Sequence, residues 1–151
     1  MQGRSVTVGE LQVSEFLDAL GERTPAPASG AAAALTGAFA ASLVELAARF
    51  AADDAAIARA KALSRRLTQL ADEDAAAYEA FVATGSEEAR RQTIDVPEEI
   101  AVNADEVERL AVHVGTQLTS SVAGDAEAAE ELARAAARVA RRLAELNASN
   151  G

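Results

Sequence analysis

The spacing of the apolar residues predicts an all-α fold, an antiparallel bundle of about five helices. Large apolar residues recur three and four residues apart over most of the chain, which is the spacing of one helix face. No stretch alternates apolar and polar residues as a half-buried strand does. Clusters of Pro, Gly and Ser interrupt the pattern and predict turns between helices. With 151 residues, the chain (1–151) is expected to form a single domain.

Alanine is the commonest residue and aromatic residues are scarce. Hydrophobic residues make up 50% of the chain and aromatic ones only 3%. Small side chains let helices approach closely but bury little apolar area, and burial stabilises by roughly 25 cal/mol per Å². We therefore expect a homodimer that forms through Ala-rich helix faces.

Charge and composition exclude several classes of function. The net charge of −10 argues against nucleic acid and anionic membranes as partners. Without cysteine there can be no disulfide, thiolate metal site or Cys nucleophile. One histidine cannot build a His-rich zinc site, nor a Ser-His-Asp triad alone. Any chemistry must rest on carboxylates and backbone dipoles.

No targeting or membrane segment is expected either. Residues 1–10 lack the basic and apolar regions of a signal peptide. The longest apolar run, residues 31–52, is interrupted by Glu45 and Arg49. The predicted location is the cytoplasm.

Two helices and a stiff connection are predicted in the first third of the chain. Residues 8–20 form a short leading helix, and residues 24–30 contain two prolines that exclude helix. Ser29 is the predicted N-cap of the second helix. Gly30 and Gly37 are expected where another helix passes close. The predicted core face of this helix consists of Leu35, Phe39, Leu43, Leu46 and Phe50.

Asp74 falls on the apolar face of the third helix, which is predicted to start at Asp53 and Asp54. The apolar pattern of that helix contains Leu63, Leu67, Leu70, Asp74, Tyr78 and Phe81. A buried carboxylate is costly unless it is paired or neutralised. Asp72 points about 160° away, toward solvent or a flank. Asp74 is either a general acid with a raised pKa or a structural carboxylate that binds backbone or a nearby arginine.

The remaining helices are predicted from the second half of the chain. A break is predicted at residues 84–86, a short helical turn rich in Glu and Arg follows it, and Val96-Pro97 opens the fourth helix. Ser120, Ser121 and Gly124 break the chain before the last helix, and residues 147–151 are read as a polar tail. The apolar faces of the two helices contain Ile100, Asn103, Val107, Leu110, Val114 and Leu118, and Leu132, Val139, Leu143 and Leu146.

Several other polar residues have a structural and a functional interpretation. Asp125 is a helix N-cap or a ligand contact, and Asn103 makes an interhelical hydrogen bond or contacts a ligand. His113 is expected to be structural or exposed. The arginines of the last helix form a solvated face or a dock for an anionic ligand tail: Arg134, Arg138, Arg141 and Arg142. Pro27, Ala28, Ser29 and Gly30 either cap a helix or present bare backbone N–H groups to a ligand.

These segments, in this order, resemble the cyclodeaminase domain of formiminotransferase-cyclodeaminase and its stand-alone relatives, the methenyltetrahydrofolate cyclohydrolases. Residues 24–30, TPAPASG, resemble the family's Pro followed by three Gly and a Ser. Residues 72–78, DEDAAAY, resemble its Asp-x-Asp-Ala-x-Ala-Phe segment, and residues 96–101, VPEEIA, its Val-Pro-Leu-x-Ile-Ala. Asp125 stands where the family has Ser-Asp, and Asn147 matches the second Asn of its Asn-Val-x-x-Asn.

The resemblance implies a helical dimer that binds a tetrahydrofolate derivative as substrate, without a metal. The implied reaction is loss of ammonia from formiminotetrahydrofolate or addition of water to the methenyl ring. An acidic residue of the Asp-x-Asp segment is the proton donor; Asp72 and Asp74 both match, and periodicity favours Asp74. The candidate substrate-binding residues are Pro27, Ala28, Ser29, Gly30, Asn103, Asp125 and Asn147.

The chain also departs from the family pattern. Two of the three glycines are Ala28 and Ser29, the first Asn of the pair is Leu143, and residues 51–54 hold no Lys or Arg. A catalytically silent helical dimer that binds another small molecule or protein is therefore the alternative.

Overall fold

A computed structural model describes residues 6–119 and 121–150, which form a short 3-10 helix and five α-helices. The 3-10 helix is Val8–Glu10, and the α-helices are α1 (Val13–Gly21), α2 (Ser29–Phe50), α3 (Asp54–Thr84), α4 (Glu87–Gly115) and α5 (Ala123–Ser149). The described ranges contain no β-strand. The predicted all-α bundle of about five helices is confirmed. Ser120, part of a predicted break, and residues 1–5 and 151 lie outside the described residues.

Helices α2 and α4 each pack against the three other long helices of the bundle, α2 against α3, α4 and α5, and α4 against α2, α3 and α5. Short turns join α2 to α3 and α3 to α4, so these neighbours run antiparallel. As a result, the start of α2, the end of α3, the start of α4 and the end of α5 meet at one end of the bundle.

Alanine faces of four helices form most of the core. In α2 alone, Ala31, Ala34, Ala40, Ala41, Ala47 and Ala48 are fully buried. Leucines of α3 and branched residues of α4 fill the larger spaces: Leu63, Leu67, Leu70, Ile100, Val107 and Val114. A Cβ on Gly37 would stand 3.1 Å from Leu67 Cδ1, which confirms that α3 passes close to this glycine.

The predicted core face of α2 is only partly right, because Leu35 and Leu43 pack partly buried against the core whereas Phe39, Leu46 and Phe50 are exposed. Phe39 is 58% exposed and Phe50 66% exposed, and the buried face is the one built from alanine and glycine. Close helix packing decides this, because Cβ-sized side chains let three neighbours contact α2, whereas phenylalanine would separate them. The Ala-rich faces expected to join two protomers are thus used inside one protomer.

Helix α4 is longer than predicted. It begins at Glu87 and continues through Val96 and Pro97, with Pro97 inside the helix. Pro97 is fully buried, and its packing in the bundle outweighs the tendency of proline to end a helix. The predicted leading helix is divided into the 3-10 turn and α1, and the predicted polar tail continues α5 to Ser149.

Two predicted helix caps are also wrong. Ala28 is the N-cap of α2, without a side-chain hydrogen bond, and Ser29 is the first helical residue. Asp125 lies in the first turn of α5, where Val122 is the N-cap. The predicted start of α3 at Asp53 and Asp54 is confirmed, and Asp53 caps the helix by accepting the Ala56 N–H.

Helix α2 is long and apolar enough to span a membrane by length and composition, with a mean hydropathy of 1.6. However, 56% of that window is buried inside the bundle. Contacts with three other helices account for its apolar character.

The same serine-to-alanine substitution can be compared at two helix starts, one capped by the serine and one not. Ser86 accepts the Ala89 N–H at the start of α4, so Ser86→Ala should lower the free energy of unfolding by about 1 kcal/mol. Ser29→Ala, the same change at the start of α2, should have an effect within about 0.5 kcal/mol because Ser29 caps nothing. Urea denaturation measures both; equal losses would contradict the cap assignment.

Candidate active site

A cavity of about 260 Å³ lies at the end of the bundle where four helix ends meet. It is lined by Pro25, Ala26, Ala28, Ser29, Gly30, Asp74, Tyr78, Thr93, Leu143 and Asn147. The loop before α2 provides one wall, and α3, α4 and α5 provide the others. Residues far apart in the sequence therefore share one small site.

Asp74 lies directly against the first turn of α2. A Cβ built on Gly30 would stand 2.1 Å from Asp74 Oδ2, closer than any real contact. Only glycine therefore allows this approach, and its role as a point of close passage is confirmed. The sequence placed Asp74 on the buried face of α3, and the structure places its carboxylate in the cavity.

The Asp74 carboxyl group is partly withdrawn from water. Burial raises its pKa from 3.8 to about 6, because desolvation disfavours the charged form. Within the described ranges, the structure gives this carboxylate no hydrogen bond and no ion pair. The structural role considered from the sequence, a bond to backbone or to an arginine, is thus not seen. A carboxyl group with a pKa near 6 can both donate and accept a proton near neutral pH.

The loop 25–30 leads into an uncapped helix start. No side chain caps α2 at Ala28, so its first N–H groups have no partner within the helix. Ala28, Ser29 and Gly30 line the cavity. The partial positive charge of this helix end favours an electron-rich ligand atom in the cavity. Pro27, also predicted here, is not among the lining residues, and the Ala26–Pro27 peptide is cis.

Tyr78 and Leu143 give the cavity an apolar surface. Tyr78 lies one turn after Asp74 on α3 and is 41% exposed. Leu143 stands on α5, one turn before Asn147. An aromatic ring and an aliphatic side chain provide a surface against which a flat heterocycle can pack.

Asn147 binds the backbone of α4. Its Nδ2 donates a hydrogen bond of 2.7 Å to the Thr93 carbonyl oxygen. Thr93 is buried, and its hydroxyl donates to the Arg90 carbonyl at 2.6 Å. The prediction that Asn147 belongs to the site agrees with its position in the cavity.

The structure does not bring the other predicted residues to this cavity. Asp72 accepts the Val8 N–H at 2.6 Å and so ties the N-terminal segment to the flank of α3. Asn103 donates to the Glu99 carbonyl of its own helix. Asp125 lies at the opposite end of the bundle, where α5 begins.

Several charged residues outside the cavity form surface pairs. Arg134 pairs with Glu130 of its own helix and also with Glu108. His113 is exposed and lies 3.2 Å from Asp53. Among the described residues, no group of three or more His, Cys, Asp or Glu side chains could hold a metal ion.

Sequence reasoning missed Thr93 and did not name Tyr78 or Leu143 as site residues, although both fall within motifs that resemble the family. Thr93 carried one usable signal, because it lies four residues before Pro97 and so has a carbonyl that the helix leaves without a donor. Tyr78 carried another, because it shares its helix face with Asp74. Leu143 was marked only by the motif, as the residue at the position of the family's first Asn.

Comparison with known proteins assigns the family. The family model described as Formiminotransferase-cyclodeaminase matches residues 12–150, and the chain belongs to that family. Among solved structures, the chain is similar to formiminotetrahydrofolate cyclodeaminase from Thermotoga maritima, with a TM-score of 0.89 and 22% identity. The match covers 95% of this chain and 81% of the other, and it shows a common fold. No curated protein matches.

The contact between Gly30 and Asp74 generates a prediction. A methyl group on Gly30→Ala should displace the carboxylate toward water, so the Asp74 pKa should fall from about 6 toward 3.8. Gly124→Ala is the control, because a Cβ there meets nothing within 4 Å. A carbon-detected NMR titration of the carboxyl group measures the pKa. An unchanged value in Gly30→Ala would show that desolvation does not depend on this contact.

Proposed function

We propose that this protein is a folate-dependent one-carbon enzyme of the formiminotetrahydrofolate cyclodeaminase or methenyltetrahydrofolate cyclohydrolase type, located in the cytoplasm. The observation that carries the proposal is the desolvated Asp74 carboxyl group in a cavity beside an uncapped helix start. Family membership supports the class of substrate. The similar solved structure is named for the cyclodeaminase reaction.

Both reactions need one group that moves protons at a single carbon. In cyclodeamination, N10 of the folate attacks the formimino carbon, and the C–N bond to the leaving amine breaks as that nitrogen gains a proton. In cyclohydrolysis, water adds to the methenyl carbon and one ring C–N bond breaks. Asp74 in its acid form can protonate the leaving nitrogen, and its carboxylate can accept a proton from N10 or from water.

The cavity suits the reacting end of a folate. Tyr78 and Leu143 offer apolar surface to a pterin ring, and Asn147 offers a polar contact. A cavity of about 260 Å³ encloses only part of such a molecule. The glutamate tail would then extend outside the cavity.

The alternative is a catalytically silent helical dimer that binds another small molecule or protein. One observation favours it: among the residues that the structure describes, no Lys or Arg lines the cavity, although a folate carries carboxylates. The net charge of −10 also opposes an anionic ligand. Protection by tetrahydrofolate in a thermal-shift assay separates the two, since ligand at 100 times its Kd adds about 2.7 kcal/mol of stability.

For the enzyme, the two aspartates of the Asp-x-Asp segment form a matched pair. Asp74→Asn should lower kcat by about 10²–10⁴-fold, because it removes the proton-transfer group. Asp72→Asn should lower kcat much less, since Asp72 binds Val8 outside the cavity. Turnover of formimino- and methenyltetrahydrofolate is measured from pH 5 to 8.

The pH dependence of the rate tests whether Asp74 is the proton-transfer group. The parent rate should change with an apparent pKa near 6, the value of Asp74, and this step should vanish in Asp74→Asn. Parental turnover in Asp74→Asn would show that the carboxylate is structural. If the parent turns over neither substrate and binds no folate, the silent dimer becomes the better proposal.

We also propose a homodimer, formed through the large apolar residues that the protomer leaves exposed. Val13 and Leu17 of α1 are 65% and 59% exposed, and both border an apolar groove with Phe39 of α2. Leu46 and Phe50 extend this exposed surface along α2. Exposed apolar side chains gathered on neighbouring helices are typical of a protein–protein interface.

Phe39→Asp tests the dimer. A charge at the centre of the interface should produce a folded monomer at micromolar concentration, measured by light scattering. Val102→Asp is the control, because Val102 is similarly exposed, 63%, but lies on α4. A monomeric parent would refute the dimer, and equal effects of the two variants would refute this interface.

A further inference from the structure

Pro97 leaves one carbonyl of α4 without its helical donor. Inside an α-helix, the N–H of residue 97 would bind the carbonyl oxygen of Thr93, four residues earlier. Proline has no N–H, and its ring pushes that carbonyl aside. Pro97 and Thr93 are both buried, so water does not readily replace the missing donor. An unsatisfied buried carbonyl is costly.

The donor that replaces it comes from another helix. Asn147 Nδ2, on α5, donates to the Thr93 carbonyl oxygen at 2.7 Å. Only the nitrogen of a carboxamide can donate, so this bond fixes which way the Asn147 side chain faces. Its Oδ1 remains as an acceptor, and no donor from the described ranges reaches it. Thr93 and Asn147 both line the cavity that contains Asp74.

We propose that Pro97 is a positioning residue for the ligand site. By withholding an N–H from Thr93, it leaves that carbonyl to orient the Asn147 carboxamide, whose Oδ1 then accepts a hydrogen bond from a ligand N–H. The ligand class is a molecule that carries N–H donors on the same framework as its reacting carbon, such as the aminopyrimidine ring or the amide of a tetrahydrofolate. The identification of the ligand as a folate rests on the proposed function. The linkage, meaning the dependence of the Asn147–Thr93 hydrogen bond on Pro97, does not.

The linkage is tested first without ligand, by a thermal double-mutant cycle. In the parent, Asn147→Ala should lower the Tm by about 4 °C, because it leaves the Thr93 carbonyl unsatisfied. In a Pro97→Ala background the same change should cost less than half of that, because the new N–H of residue 97 takes the carbonyl. Additive losses would overturn the linkage.

The positioning role is tested next, by calorimetric binding of 5-formyltetrahydrofolate, a stable reduced folate. Pro97→Ala and Asn147→Ala should each weaken binding by about tenfold, the loss of one hydrogen bond. The double variant should also lose about tenfold and not a hundredfold, because Pro97 acts through Asn147. Val107→Ala is the control, since Val107 is fully buried in the same helix but does not line the cavity. It should lower the Tm and leave the Kd within about twofold.

The possible failures are distinguishable. Unchanged folate affinity in Pro97→Ala would overturn the positioning role. A parent that binds no folate would refute the proposed function, and the thermal cycle would still decide the linkage. If Pro97→Ala does not fold, hydrogen exchange in the parent tests the linkage instead. The Asn147 side-chain amide should then exchange more slowly than that of exposed Asn150, and equal rates would overturn the linkage.

Discussion

The close packing of α2 against three other helices is the constraint on which the rest of the structure depends. A helix can contact three neighbours at short distance only if its side chains are small. The sequence meets this requirement with alanine and glycine on the buried face. The leucines of α3 then fill the spaces between helices, and Leu67 lies against Gly37. Packing of this kind is specific, because a single added methyl group meets an atom of the next helix.

The same constraint creates the electrostatics of the cavity. Because α2 and α3 approach so closely, the Asp74 carboxylate is held against Gly30, and water is partly excluded from it. The raised pKa is thus a consequence of helix packing. An uncapped helix start nearby supplies dipoles that an approaching ligand can use without reorganisation. A more open bundle with the same aspartate would hold an ordinary carboxylate.

The bulky apolar residues of α2 are displaced to the outside by this arrangement. Phe39, Leu46 and Phe50 cannot occupy the thin space between α2 and its neighbours, so they form an exposed surface beside α1. In most helices of globular proteins the large apolar residues face the core, whereas in α2 the small residues face the core and several large ones face outward. Burial of the exposed residues against a second protomer would supply the apolar area that alanine does not.

The sequence by itself determined the helical class, the turn at residues 84–86, and the burial of Asp74 on α3. These follow from local periodicity and turn chemistry, which depend on neighbours three or four residues away. Asn147 was found only through motif resemblance, whereas the loop before α2 was also indicated by its two prolines and by the helix start that follows them. Tertiary structure decided which face of α2 is buried, because periodicity alone does not tell an alanine face from a phenylalanine face.

Tertiary structure also decided that α4 continues through Pro97 and that Thr93 faces Asn147 across two helices. A proline in the sequence predicts a helix start by local rules. The compensating donor stands 54 residues away, where no local pattern can reveal it. Asp72 and Asp74 illustrate the same division. The sequence assigned them to different faces of one helix, but only packing showed that one carboxylate holds a backbone N–H and the other faces a cavity.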